Sequence, residues 1–519
     1  MAGIRVSKKK DLLDNPHHKQ ESAYIRQDGS GLMYRGGLED ELDDAAQAFV
    51  SSIHSDSEIL PFDIAGTEAH VLMLYKAKII PKADAKKLLS ALRDIRTGGF
   101  DPADMNQVFE DGHELLESWV TKRAGKRAGG RIQTARSRND QVAVAIRMKL
   151  RHDTNIIQTG ILQLVSALAE LAADNMDTTI PLYTHLQHAQ AGVLSHYFLA
   201  QVSILLRDYE RFAGMYERLD SNPLGSGPVG GSSLGIDREI TTRLLAFPDM
   251  VYNSLDATSS RDHISEFVSC VAIMCVGLSR MAEDLVVWAS DEFGFVEIAD
   301  HSASPSSAMP QKRNPDVLEL VRGKAASTIG DLVSVLAVQK GLASGYGRDL
   351  QEAKEPAWRA AEVAAGSLHI LFEVLTDMTI NKARMAQAAE SGNITALDVA
   401  EELVRHKVPF REAHLEVGKM VAAARRAGKH VLELTKVEIS GACSINPDTA
   451  ARALSACTVE GSPERRRSAG GTSRREQERM IRQAEDSVGE LLGELEEQRN
   501  DATAEIGKMW QEIDEFLKG

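Results

Sequence analysis

The sequence predicts an all-α protein, with three helical domains arranged around a central bundle of long helices. Three observations carry this. Apolar residues recur at spacings of three, four and seven over long stretches, the pattern of helices packed at small crossing angles. Strand signals are sparse. Aromatics make up only 5% of the 519 residues while Ala, Leu, Glu and Arg recur, a composition that favours helix. A chain of this length exceeds what one hydrophobic core usually organises, so several domains are expected.

In chain order, the first thirty-odd residues are polar and Gly-containing and read as a loosely held arm. From Asp43 to Glu117 short helical patterns are broken by Pro61, by Pro81 and by Gly98-Gly99-Phe100. Together with the arm they form a small helical domain over residues 1–130. Residues 131–385 carry the seams. Ile146, Leu150, Ile157, Ile161, Leu164, Leu168 and Leu171 share one helix face, with Leu199, Val202, Leu206 and Tyr209 on a shorter one. Phe267, Val271, Met274, Leu278, Met281 and Leu285 make a further seam, as do Leu318, Val321, Ala325, Thr328, Leu332 and Val335. A helix from Val142 to Ala172 would be about 45 Å long. Helices of that length need several apolar neighbours, so a bundle extended across subunits is expected. Residues 386–519 are more mixed and close on a charged helix from Arg475 toward Phe516, a third helical domain.

The net charge of −15 argues against nucleic acid or an anionic membrane as a bulk partner, since phosphate binding needs positive surface. An anionic substrate therefore needs a local cluster of Lys and Arg. No run approaches the roughly 20 apolar residues of a membrane span, and Lys8, Lys9 and Lys10 are followed by polar residues rather than a signal core. Cys270, Cys275, Cys443 and Cys457 have neither zinc-ligand spacing nor the density of a disulfide framework, and the first pair sits in an apolar helical stretch. A cytoplasmic location with no metal is the simplest expectation.

Dense polar runs stand near the starts of the long helices. Ser304-Pro305-Ser306-Ser307-Ala308-Met309-Pro310-Gln311-Lys312-Arg313 leads into Asn314-Pro315-Asp316, which reads as a helix start with Asn314 as the cap. It suits a carboxylate-derived anion, or is only a capped polar loop. Thr134-Ala135-Arg136-Ser137-Arg138-Asn139-Asp140-Gln141 heads the long helix expected near Val142, as an anion site or an over-determined cap. Tyr183-Thr184-His185-Leu186-Gln187-His188, after Pro181, is read as opening another helix. His185 there is an acid/base candidate or a structural histidine.

Together these runs resemble the fumarase/aspartase superfamily and, within it, the argininosuccinate lyases. The MPQKRNPD segment is similar to the superfamily's signature loop, TARSRNDQ and YTHLQHAQ to two further family regions. FEDGHELLE at Phe109, PLGSG at Pro223, NSLDATSSRD at Asn253, SRMAEDL at Ser279, GYGRDLQEAKE at Gly345 and VPFREAH at Val408 follow in order. The likeness runs from about Phe49 to the GGTS at Gly470.

The resemblance implies a cofactor-free enzyme that eliminates fumarate from argininosuccinate, leaving arginine. It implies a homotetramer with a twenty-helix core and active sites shared between three subunits. Ser306 is then the general base, Lys312 and Asn314 stabilise the aci-carboxylate, and His185 with Glu319 handles proton transfer. Implied substrate contacts are Ser52, His113, Ser137, Arg138, Asn139, Thr184, Tyr346, Gln351 and Lys354. A lyase acting on another N-substituted aspartate, or a non-catalytic crystallin-like protein, are the alternatives.

Several positions depart from the family pattern. Pro305, Ala135 and Leu182 stand where Gly is usual, Gln133 where His, Val50 where Asn, and Gly112 where an aliphatic residue is usual. Pro305 fixes its own φ and restricts Ser304, so a stiffer loop is expected there.

Overall fold

A computed structural model describes residues 43–99, 105 and 109–519. The expected N-terminal arm and Phe100 lie outside the described residues.

Five long helices form the centre: Arg138–Asp174, Leu194–Leu219, Asp262–Trp288, Asp316–Gln339 and Lys354–Asp377. The seams read from the sequence are what they bury. Ile146, Leu150, Ile157, Ile161, Leu164 and Leu168 are enclosed together with Phe267, Val271, Met274, Leu278, Met281, Leu285, Leu318 and Val321. The first helix starts at Arg138, four residues before the expected Val142, because Ser137 and Asp140 complete a capping box. Cys270 and Cys275 are buried in this core. Arg138–Asp174 is long and apolar enough to cross a membrane by length and composition alone, but its apolar face is the one the bundle encloses.

Successive helices run in alternating directions, as their cross-contacts fix. Arg147, near the start of the first helix, donates to the Leu219 carbonyl at the end of the second, at 2.7 Å. Tyr197, early in the second, donates to Asp284 late in the third at 3.0 Å. Gln339, ending the fourth, donates to Ser265 at the start of the third at 2.7 Å. Lys149 lies over the Trp358 ring at 4.9 Å, so the first and fifth helices run the same way. The bundle thus has two ends. Ser137, Leu219, Gln339 and Lys354 mark the proximal one; Asp174, Leu194, Trp288, Asp316 and Asp377 mark the distal one.

The N-terminal lobe covers the proximal end. Pro61 sits in the first turn of Leu60–Lys76 and Pro81 caps Lys82–Gly98, so both prolines start helices where an N–H has no partner to lose. Residues 396–457 enclose a separate core of Val399, Leu403, Val417, Met420, Ile439 and Leu454. The final helix, Arg474–Lys518, does not join that core. Its Ile481, Ala484, Val488 and Leu495 pack into the bundle, and its Met509 and Ile513 into the N-terminal lobe. It therefore runs the length of the bundle, from Arg474 against Asp177 to Trp510 donating to Glu68 at 2.9 Å.

Two local expectations are corrected. Residues Tyr183 to Gln187 open no helix: Thr179–Thr184 and Gln187–Val193 pair as an antiparallel hairpin, and the helix begins only at Leu194. Pro181 removes one N–H, and the β-branched and aromatic side chains at Thr179, Ile180, Tyr183 and Thr184 suit extended backbone. Nor is Asn314 a helix cap. Pro315 takes that place, and Asn314, held extended by the proline after it, pairs with Ser304 in a two-residue ladder.

Candidate active site

The sequence-predicted residues gather into two groups at opposite ends of the bundle. At the proximal end stand Ser52, His113, Ser137, Arg138, Asn139, Tyr346, Gln351 and Lys354. Thr184, His185, Ser306, Lys312, Asn314 and Glu319 stand at the distal end. The Asp316–Gln339 helix between the signature loop and Tyr346 has 24 residues, about 36 Å. Arg138–Asp174, between Ser137 and the hairpin, has 37 residues, about 55 Å. One chain does not bring the two groups together.

The proximal group is built on a buried polar network. Lys354 is fully enclosed and its ammonium is bonded to Asp56. The second oxygen of Asp56 accepts from the Gly112 N–H at 3.0 Å and the Ser52 hydroxyl at 3.1 Å. Burial alone would raise the Asp56 carboxyl, but the Lys354 and His113 charges and the hydrogen bonds from Lys354 and Gly112 together outweigh it, leaving the group below its ordinary value. A Cβ on Gly112 would lie 2.9 Å from the Asp56 Cβ, so this departure is what lets the backbone come so near. His113 bonds Asp63 through Nδ1 at 2.7 Å while its buried Nε2 has no hydrogen-bond partner among the described residues. Burial would depress this imidazole, but the Asp63 charge and hydrogen bond hold it above the usual histidine value. Gln141 donates to the other Asp63 oxygen at 2.7 Å, and Gln133 in turn reaches Gln141 and Glu117, both at 3.3 Å.

Closer to the surface, Arg138 bonds Glu110 at 3.0 Å and Asp111 at 2.7 Å. Ser137 caps the helix and accepts from the Asn139 N–H at 3.3 Å, and the Asn139 side chain donates to the Pro228 carbonyl at 2.9 Å. Gln351 donates to the Tyr346 hydroxyl, and Arg348 bonds both Glu110 and the Val50 carbonyl. Because the Val50 contact uses backbone, it survives the loss of the usual Asn side chain.

Asp56, Asp63, Glu110, Asp111, Gln141 and Arg348 were not singled out from sequence. They are partners of residues that were. The Phe109–Glu117 run and GYGRDLQ already contained three of the six and TARSRNDQ a fourth, and only their pairing was hidden.

At the distal end, His185 and Leu186 form the hairpin tip, both at φ +55°, with the ring of His185 exposed. Ser304 and Pro305 pair with Asn314 and Arg313, and the Ser306 N–H donates to the Lys312 carbonyl at 3.2 Å, so a short ladder closes the signature loop at its base. The Ser306 hydroxyl oxygen accepts from the N–H groups of Ala308 at 3.3 Å and Met309 at 3.1 Å. Lys312 and Glu319 are exposed, Glu319 lying 3.8 Å from Arg322. The distal set thus presents a serine oxygen held by two N–H donors, an ammonium, an amide, an imidazole and a carboxylate, all on or near the surface.

Comparison with known proteins bears on the family. Residues 36–330 match a family model described as lyase, and residues 393–462 one described as argininosuccinate lyase C-terminal. A protein of Nitrosopumilus maritimus (strain SCM1) named argininosuccinate lyase is 44% identical over 488 residues, covering 93% of this chain and 100% of that protein. Another so named, from Syntrophus aciditrophicus (strain SB), is 40% identical over 460 residues, covering 87% of this chain and 95% of its own. The crystal structure of an EDDS lyase in complex with formate matches with a TM-score of 0.81 at 24% identity over 92% of this chain and 99% of that one, a likeness of fold. Matched along nearly its whole length by such relatives, and over more than half of it by the lyase model, the chain belongs to the argininosuccinate lyase family of the fumarase/aspartase superfamily.

Proposed function

We propose that this carbon–nitrogen lyase cleaves argininosuccinate to arginine and fumarate, at sites formed where the distal end of one subunit meets the proximal end of another. The observation that carries this is the segregation itself. The groups assigned to bond breaking stand at one end of the bundle and nearly all those assigned to holding substrate at the other, so a complete site needs antiparallel copies. The bundle surface supports such an assembly. Ile273 and Val276 on one helix, and Leu320, Ile329, Val333 and Leu336 on the next, are all more than 40% exposed in the single chain. A homotetramer of chains divided at about residues 130 and 385, with three subunits contributing to each site, is the arrangement proposed. The enzyme is proposed to be cytoplasmic, without metal or cofactor, and to bind neither nucleic acid nor membrane.

In this reading Ser306 removes a proton from the succinyl carbon beside a carboxylate. A serine is a poor base, and the N–H donors of Ala308 and Met309 stabilise negative charge on its oxygen. Lys312 and Asn314 take the charge that develops on the substrate carboxylate. As the carbon–nitrogen bond breaks, its electron pair leaves with the guanidinium nitrogen, and His185, relayed by Glu319, supplies the proton. Arg138, Ser137, Asn139, Thr184 and Tyr346 hold the substrate's carboxylates and amino group, with His113 offering its unpaired Nε2. Lys354, enclosed against Asp56, acts from behind Ser52.

The test is fumarate release from argininosuccinate, followed by ultraviolet absorbance, with arginine measured alongside. Equal amounts of both products are expected from the wild type. Ser306→Ala should retain the tetramer and lose at least about 1,000-fold in kcat. Release only from ethylenediamine-disuccinate would move the substrate; wild-type turnover by Ser306→Ala would remove that serine as the base.

A further inference from the structure

Asp140 stands in the RSRNDQ run but is not among the proposed substrate contacts. It is fully buried. One carboxylate oxygen accepts from the Ser137 N–H at 3.0 Å and so completes the helix cap. The other accepts from two amides of a separate loop, Gly225 and Gly227, both at 2.9 Å. The capping box uses one oxygen of its N3 side chain; here the second oxygen captures the PLGSG segment, whose role is otherwise unassigned.

The captured loop is itself tightly made. Gly225 and Gly227 lie at φ +89° and +62°, and a Cβ on Gly227 would sit 2.8 Å from the Gly231 carbonyl oxygen. Arg238 donates to the carbonyls of Leu224 at 3.0 Å and Asn222 at 3.1 Å, closing the loop from behind. Asn139 reaches across to the Pro228 carbonyl at 2.9 Å. The loop and the helix head are therefore joined twice, once through a proposed substrate contact and once through Asp140.

We propose that Asp140 is a positioning residue, whose carboxylate pins the Pro223–Gly231 turn to the helix head and so sets Ser137, Arg138 and Asn139 against the substrate. The chemistry requires an ionised carboxylate. Three N–H groups converge on it from two directions, and an amide in its place would turn an NH2 toward one of them. The charged groups facing it are Arg136, before the helix, and Arg238, behind the loop. Burial outweighs these and the backbone donors and pushes the carboxyl up to about 6. The pin is thus ionised at neutral pH.

This inference rests on the substrate reading above, and its test separates the two. Amide hydrogen exchange at pH 7.5 on the wild type and on Asp140→Asn needs no substrate. Gly225 and Gly227, corrected for intrinsic rates, should be protected in the wild type, and that protection should fall by about tenfold or more in Asp140→Asn while the bundle amides hold theirs. In the same variant KM for argininosuccinate should rise about tenfold, with kcat within about threefold and helical content unchanged. Unprotected Gly225 and Gly227 amides in the wild type would overturn the pin whether or not Asp140→Asn folds, as would wild-type protection or wild-type KM in a folded variant. Failure of the wild type to release fumarate would count against the substrate reading alone.

Discussion

Ala135 sits at φ +60°, in the left-handed region where a Cβ meets the following carbonyl. It follows Thr134, whose carbonyl lies 2.9 Å from His70 Nε2, and precedes Arg136, whose guanidinium bonds Thr67 at 2.8 Å and Gln133 at 3.2 Å. Those flanking bonds impose the turn on a residue that resists it. Ala135→Gly should therefore raise the denaturation midpoint, by about 1 kcal/mol per subunit, with kcat/KM within about twofold of wild type. A lower midpoint would mean that the turn is not strained. The buried pair at Asp56 is a stronger case. Asp56→Ala leaves the enclosed Lys354 ammonium without its counter-charge, at a cost of about 3–5 kcal/mol by chemical denaturation. Restoration by the double replacement Asp56→Ala with Lys354→Met would show that the unpaired charge, not a lost contact, is the cause. The sequence pointed to Lys354 but not to Asp56. Asp56 lies in Ser51-Ser52-Ile53-His54-Ser55-Asp56-Ser57, a stretch that reads as solvated. Its burial comes from a helix some 300 residues away in sequence, which no local pattern reports.

At the scale of elements, seams were legible and ends were not. The strict three-four spacing of Phe267 through Leu285 predicts a buried face, and that face is buried. The hairpin at Thr179–Val193 was misread as a helix start because its turn lacks the usual Asn-Gly signal: His185 and Leu186 hold the two left-handed positions instead. Such a turn is disfavoured locally, and a register shift beside it at Leu182/Tyr183 aims the tip anew. Leu182, replacing the family's usual Gly, lies over Gly192, where a Cβ would come within 2.6 Å of it. The final helix shows a second limit. Periodicity gave its extent to within a residue or two, but the partner of an apolar face is not written in its spacing. Ile513 packs in the core of the N-terminal lobe, beside Trp510, which bonds the buried Glu68 and is stacked by Arg96 at 4.5 Å. Ile513→Ala should cost about 2–4 kcal/mol. The loss should be felt first in the lobe, as faster amide exchange in Leu60–Lys76 with the Asp262–Trp288 amides unaffected. Equal acceleration in both would mean that the final helix serves the bundle as a whole.

For the whole molecule, the alternating directions of the five helices decide where chemistry is possible. Ser306 and Arg138 belong to ends separated by a helix of about 36 Å or more, and side chains reach only a few ångströms beyond their backbone. If sites form between antiparallel subunits, each takes its distal set and its proximal set from different chains. A chain carrying Ser306→Ala then still offers a sound proximal end, and one carrying Arg138→Ala a sound distal end. Each variant alone should be inactive as a homotetramer. Unfolded together at equal concentration and refolded, they should form mixed tetramers in which roughly a quarter of sites receive both intact ends, by random assortment of the two chains. Activity should rise toward that fraction of wild type, and a mixture of the separately folded homotetramers should stay silent until subunits exchange. Two variants from the same end, Ser306→Ala with Lys312→Ala, are carried on one loop of one chain. Where that loop supplies both groups to a site, no assortment restores it, and this pair should give no recovery at all. No recovery by the opposite-end pair in verified mixed tetramers would place the two halves in one subunit, against the geometry of the bundle, and recovery by the same-end pair would mean that one loop does not supply both groups to a site.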